Sequence, residues 1–399
     1  MAIVLSPVRE KIMLYALMAL QFTVIVDFMI MMPLSAQLLD AFNIGTTEFG
    51  LLVSAYSLSA CVSSLLASGY SDRFDRKYAL VACYIGLIIA TFGCAISDSY
   101  NWLLISRVVA GFFGGIVGSL VLATIGDVIE PRRRGYAMGI VMLAFSLAAI
   151  FGVPLGLWIS AHYHWQTPFL VLTVACIFIL AICWFCLPNV REHLDQPKQS
   201  MVQSYMGLLS VPNHWWGFLT TMLVMFGGFL VIPYIAPTLV ANGGMLEKDL
   251  TFVYLVGGAV TLVSRPYIAK LTDKFRHANV FLVLVIVSFI PIMLMSFSLN
   301  IPLYGHLLIS ALFFIFVSGR FIPTSAMVTA SCEPKFRGRV MAFNSAMQNL
   351  GSGLAAFVGG MILIKADSGE ILNYPWVGAL SIVVGLISIV IARKIKPVS

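Results

Sequence analysis

Twelve apolar runs, each long enough to cross a bilayer, take up most of this chain. They fall at approximately 12–39, 47–70, 77–97, 102–126, 135–161, 165–187, 213–240, 249–271, 278–298, 302–331, 339–364 and 374–393. A helix rises about 1.5 Å per residue, so roughly 20 apolar residues span the hydrocarbon core. Backbone groups have no water to bond in lipid, which makes helices the expected form of every run. Hydrophobic residues make up 60% of the chain and charged residues only 10%, more apolar sequence than a soluble core can use.

The net charge of +7 is not spread evenly. With the N-terminus placed inside, the inner segments hold twenty of the 24 Lys and Arg, from Arg9 and Lys11 to Arg393, Lys394 and Lys396. The outer loops hold Lys248 and Lys365, while Arg107 and Arg320 lie within spans. This is the positive-inside pattern. It predicts an integral, multi-pass protein of a bacterial-type cytoplasmic (inner) membrane with both termini cytoplasmic, and it removes nucleic acid from the expected partners. Seven cysteines lie in or beside apolar runs and read as packing residues; no metal site is expected.

The chain repeats itself. Ser71-Asp72-Arg73-Phe74 after the second run matches Thr272-Asp273-Lys274-Phe275 after the eighth, and Pro131-Arg132-Arg133-Arg134-Gly135 matches Pro334-Lys335-Phe336-Arg337-Gly338. The offsets, 201 and 203 residues, nearly agree. The expected fold is an all-α membrane protein with twelve transmembrane helices in two pseudo-symmetric six-helix bundles. Residues 1–187 form one bundle, 188–212 a cytoplasmic linker and 213–399 the other. Parallel repeats of this kind place a substrate site at their interface near the midplane.

Three buried charges set the candidate chemistry. Asp27 sits about midway along the first run, and a carboxylate at that depth costs about 2.5–3.5 kcal/mol on insertion scales. Arg107, in the outer third of the fourth run, is its expected partner in proton coupling. At about 4 Å and an effective dielectric near 20, their attraction is on the order of 4 kcal/mol, comparable to the desolvation penalty. Near balance between the two terms is what lets a carboxylate take up and release a proton. Arg320, in the tenth run, binds an anionic or carbonyl-bearing substrate, partners Asp27, or caps backbone carbonyls. Asn344 and Gln348, one turn apart, either join helices or line a cavity. Phe28, Met31 and Tyr234 complete the expected substrate-binding set.

Five loop and helix stretches carry a resemblance. Gly69-Tyr70-Ser71-Asp72-Arg73-Phe74-Asp75-Arg76-Lys77 resembles the signature loop of the major facilitator superfamily, with Asp75 where a glycine is usual. Leu104 to Gly111, centred on Arg107, is similar to that family's fourth-span element. Gly152-Val153-Pro154-Leu155-Gly156 resembles its antiporter signature, and the Asp27–Pro33 region resembles the first span of twelve-span drug:proton antiporters. Asn344 to Gly353 is similar to span eleven of the sugar- and nucleoside-efflux branch. In physical terms Gly69, Asp72, Arg73, Arg76 and Asp127 form a conformational latch of charged helix ends. Gly152, Pro154 and Gly156 give a kinked, closely packed helix.

The resulting expectation is a secondary active transporter, a proton-coupled antiporter exporting a small organic molecule: a drug, sugar, nucleoside or metabolite. Proton-coupled or facilitated uptake is the alternative, and a non-transporting sensor a remote one. No protease, nucleotide-loop or phosphate-cradling motif points to an enzyme. The expected energy source is the proton gradient with no cofactor, and the expected partners are the substrate, protons and the bilayer around a monomer.

Overall fold

The computed structural model describes residues 6–70, 74–130, 133–189, 206–333 and 337–398. Helix α1 (Pro7–Ile30) starts where Ser6 caps the Arg9 N–H and Pro7 fixes the first turn. It breaks across residues 31–34, at Pro33, and continues as α2 (Ser35–Ala41). Three unbroken helices follow, α3 (Thr46–Tyr70), α4 (Arg76–Ala95) and α5 (Tyr100–Val128). Asp75 caps α4 by accepting the Lys77 N–H at 3.0 Å, which gives the residue in the usual glycine position a structural task.

The fifth span is α6 (Arg134–Leu147), a π-turn over Ala148–Gly152, and α7 (Val153–His162). A proline has no N–H to donate into the preceding turn, and the wider π-turn ends just ahead of Pro154. Helix α8 (Thr167–Cys186) closes the first half.

The second half begins with α9 (Pro212–Val231), a 3₁₀ turn at Ile232–Tyr234, and α10 (Ile235–Ala241). Its break at Pro233 corresponds to the break at Pro33 at nearly the same offset as the loop repeats. Then come α11 (Glu247–Lys274), α12 (His277–Ser296), α13 (Leu303–Gly319) and α14 (Phe321–Ala330). Arg320 stands at the junction between α13 and α14. Helix α15 (Arg337–Ile362), a short hairpin of β1 (Ile364–Lys365) and β2 (Ile371–Leu372), and α16 (Tyr374–Ala392) complete the chain.

Eleven of these helical segments are long and apolar enough to cross a membrane. The twelfth expected span, α15, has the length at 26 residues, but its amides, glycines and terminal arginines lower its hydropathy. It packs along α3 and α9, so its polar groups meet protein.

One apolar cluster runs through both halves at the end carrying the 42–45 and 242–246 loops. It joins Ile30, Leu34, Phe49 and Leu157 to Tyr234, Val253, Ala356 and Tyr374. At the opposite end, where α1 begins and α16 finishes, the clusters stay within one half: Met13 to Leu187 in the first, and the groups around Phe218, Phe281 and Ile268 in the second. Among the described residues, then, a shared apolar cluster seals the halves together at one end and none does so at the other.

Candidate functional site

Asp27 lies one turn before the break that ends α1, on the face turned into the first half. It is 1% exposed and Arg107 is fully buried. One carboxylate oxygen accepts Thr91 Oγ1 from α4 at 3.0 Å, and the other accepts Arg107 Nη1 from α5 at 3.2 Å. The same Nη1 also donates to the Asp27 main-chain carbonyl at 3.0 Å. The guanidinium lies 4.5 Å from the centre of the Tyr56 ring, with its Nε and Nη2 lacking hydrogen-bond partners. Tyr56, Cys94 and Cys176 are the other titratable side chains around the pair.

Three helices therefore converge on one ionisable group. The sequence reading joined Asp27 to Arg107 but missed Thr91. A lone threonine in an apolar run gives no signal of its own, since most such hydroxyls bond the carbonyl one turn back. Thr91 is set apart by its bond to another helix.

The antiporter-like motif backs the helix that carries Asp27. A β-carbon on Gly152 would overlap Val26 Cγ2, and one on Gly156 would overlap Ile30 Cδ1. These two α1 residues flank Asp27 by one position and by three. On its other side the π-turn meets the second half: a β-carbon on Gly258 of α11 would lie 2.6 Å from the Ala149 carbonyl oxygen. Α1, the π-turn and α11 are stacked with no spare volume.

Phe28, beside Asp27, stacks on Phe229 of the second half at 5.7 Å and lies 5.2 Å from Tyr56. Met31 and Tyr234 are fully buried in the shared apolar cluster. Tyr234 Oη donates to the Ala356 carbonyl, so its polar end joins helices in this conformation.

Arg320 is 1% exposed. Its Nε donates to the Val317 carbonyl at 3.3 Å and its Nη2 has no partner. Asn344 is fully buried, with neither amide atom hydrogen-bonded, and Gln348 is half-buried one turn further along α15. Arg265, grouped with the inner basic residues on sequence, sits well inside α11. It reaches into the first half, donating to Ser146 Oγ at 3.2 Å with its guanidinium 5.0 Å from the Phe145 ring centre.

Of the expected latch, Arg76 Nε donates to Asp127 Oδ2 at 2.7 Å, tying the start of α4 to the end of α5. Gly69 lies in the last turn of α3, and Asp72 and Arg73 lie outside the described residues. Two surface clefts of about 330 and 310 Å³, around His164 and Phe74, lie away from Asp27.

The sequence profile of the Major Facilitator Superfamily matches residues 17–319 and 218–399. An uncharacterized MFS-type transporter of Bacillus subtilis, YceJ, is 25% identical over 86% of this chain and 87% of its own length. A probable sugar efflux transporter of Mannheimia succiniciproducens is 25% identical over 90% of this chain and 87% of its own. In structure, a D-xylose-proton symporter aligns with a TM-score of 0.78 at 16% identity, covering 98% of each chain. This chain belongs to the Major Facilitator Superfamily, secondary membrane transporters that draw on ion gradients and use no cofactor.

Proposed function

We propose that this chain is a proton-coupled antiporter that exports a small organic molecule by alternating access across a bacterial-type inner membrane. The observation that carries the reading is the buried Asp27, held by Thr91 and Arg107 on the last turn before a helix break. A carboxylate enclosed by protein at membrane depth is costly, and an adjacent guanidinium offsets that cost. Moving α1 relative to α5 changes the balance and so the proton affinity. The close stacking of α1 on the π-turn, and of the π-turn on α11, gives the second half a mechanical route to that carboxylate.

Both termini are taken as cytoplasmic from the distribution of basic residues. The sealed end is then external, and the proposal assigns this conformation to the inward-facing state of the cycle. In this state Asp27 releases its proton inward and cargo enters. Loading a proton from outside in the opposite state resets the carrier. The efflux name of the Mannheimia relative favours export. Arg320, Asn344 and Gln348 on the second half, with Phe28 at the seam, form the substrate side of the proposal.

The test is proton release from the detergent-purified protein in weak buffer, titrated with a panel of drugs, sugars and nucleosides. Release that disappears in Asp27→Asn supports exchange at this carboxylate. Release that persists in the variant, or proton uptake on ligand binding, overturns it; the latter is the signature of co-transport.

A further inference from the structure

We propose that the cargo carries a negative charge, a carboxylate or phosphate, and that Arg320 with Arg265 forms the site that takes it. The proposal deepens the substrate side of the reading above and rests on it.

The starting point is a charge imbalance inside the spans. Asp27 is matched by Arg107 within the first half. Arg320 has no carboxylate partner among the described residues; its one hydrogen bond goes to a carbonyl of its own helix. Arg265 likewise has, among the described residues, the Ser146 hydroxyl and the Phe145 ring as its polar and aromatic partners. The second half therefore contributes two cations that no carboxylate among the described residues neutralises. An isolated guanidinium in a low-dielectric interior is expensive, and such groups at membrane depth serve substrates or ions.

The two arginines belong together. Helices α11 and α13 pack side by side, and a β-carbon on Gly319 would lie 2.7 Å from Ile268 Cδ1. Ile268 is one turn beyond Arg265 and Gly319 directly precedes Arg320, so both arginines sit at about the same depth. Helix α15 runs antiparallel to α14, with Thr329 Oγ1 3.7 Å from Met341 Sδ. That register brings Gln348 close to the level of Arg320, with Asn344 one turn nearer the inner end. Gln348 supplies an amide at that level, and buried Asn344, with neither amide atom hydrogen-bonded, extends the polar face of α15 by one turn. A planar fork of N–H donors with an amide nearby suits a carboxylate or phosphate, which accepts two parallel bonds.

The charge is consistent with export. An inside-negative membrane drives an anion outward, so the potential assists removal of such a cargo. The anion and the proton occupy different halves, so their exchange runs through movement of the halves.

The test measures thermal stabilisation of the full-length detergent-purified protein at fixed pH by matched pairs: benzoate with benzamide, succinate with succinamide, glucose 6-phosphate with glucose. At least one anion is expected to raise the unfolding temperature where its neutral twin does not. The preference is expected to vanish in Arg320→Gln, survive in Arg320→Lys and weaken in Arg265→Gln. Size-exclusion profiles establish that the variants are folded, and Arg265→Gln serves if Arg320→Gln is not. No response to any anion, equal responses within every pair, or a preference unchanged in the arginine variants overturns the proposal. Asp27 is untouched and no gradient is applied, so such a failure leaves the proton-coupling reading standing.

Discussion

Arg107 grips Asp27 twice, at the carboxylate and at the main-chain carbonyl, through the same nitrogen at 3.2 and 3.0 Å. The carbonyl bond survives replacement of the side chain, so the two members of the pair differ in what their loss does. Asp27→Asn keeps an acceptor for Thr91 or Arg107 and keeps the backbone tie. It is expected to fold with nearly unchanged thermal stability while losing proton-driven transport. Arg107→Gln leaves a buried carboxylate without its cation, which typically costs about 3–5 kcal/mol. Thermal unfolding of the two variants in one detergent gives the comparison, and equal destabilisation contradicts it.

The contacts of Ile30 with Gly156 and of Val26 with Gly152 predict a rescue. Gly156→Ala forces a methyl group onto Ile30 Cδ1 and is expected to cost about 1–3 kcal/mol, the usual range for overpacking. Ile30→Val removes that terminal carbon and is expected to recover much of the loss, with a coupling energy of about 0.5–3 kcal/mol in a double-mutant cycle. Strict additivity shows that α1 and α7 do not meet there in the membrane.

How much of this was legible in the chain depends on range. The spans followed from local hydropathy, and the repeat from two loop motifs. Helix α15 escapes a composition criterion because Asn344, Gln348 and Asn349 make it polar, yet the repeat register called for a span there. The Asp27–Arg107 pair was inferred because a buried acid needs a cation and few were on offer. Thr91 and the depth of Arg265 depend on which faces of separate helices meet, which spacing along one helix does not encode. The breaks at Pro33, Pro233 and Arg320 had partial signals, since proline marks a possible kink without saying whether neighbours compensate it. The latch shows the same limit: spacing within one loop does not say which helix ends meet, and among the described residues Arg76 of α4 reaches Asp127 of α5, while Asp72 and Arg73 lie outside the described residues.

The Arg76–Asp127 pair joins two helices of one half, so its loss is expected to loosen that half. Asp127 is 29% exposed in its side chain, and solvent screening limits the pair to about 1 kcal/mol or less. Asp127→Asn is therefore expected to shift the unfolding temperature little, yet to broaden the distance distribution between spin labels on the ends of α4 and α5. An unchanged distribution removes Asp127 from the latch.

The sealed end holds two kinds of contact between the halves, and they differ in strength. Lys365 Nζ meets Asp40 Oδ1 at 2.9 Å, but Asp40 is 75% exposed in its side chain, so the pair adds little. Thr46 Oγ1 is buried, 2.7 Å from the Leu363 carbonyl and 3.1 Å from that of Gly360, at the end of α15. Thr46→Val keeps the shape and removes the donor, leaving those carbonyls without it at a cost of about 0.5–1.5 kcal/mol. At about 1.4 kcal/mol per tenfold, this shifts the open-to-closed ratio at that end by roughly two- to twelvefold. Lys365→Ala is expected to change it by much less. The readout is the labelling rate of Ser57→Cys, a near-isosteric change at a buried position of α3 behind the seal, by a membrane-impermeant thiol reagent in a background lacking the native cysteines. Faster labelling in Thr46→Val than in Lys365→Ala fits a hydroxyl that holds the gate; the reverse order transfers that role to the ion pair.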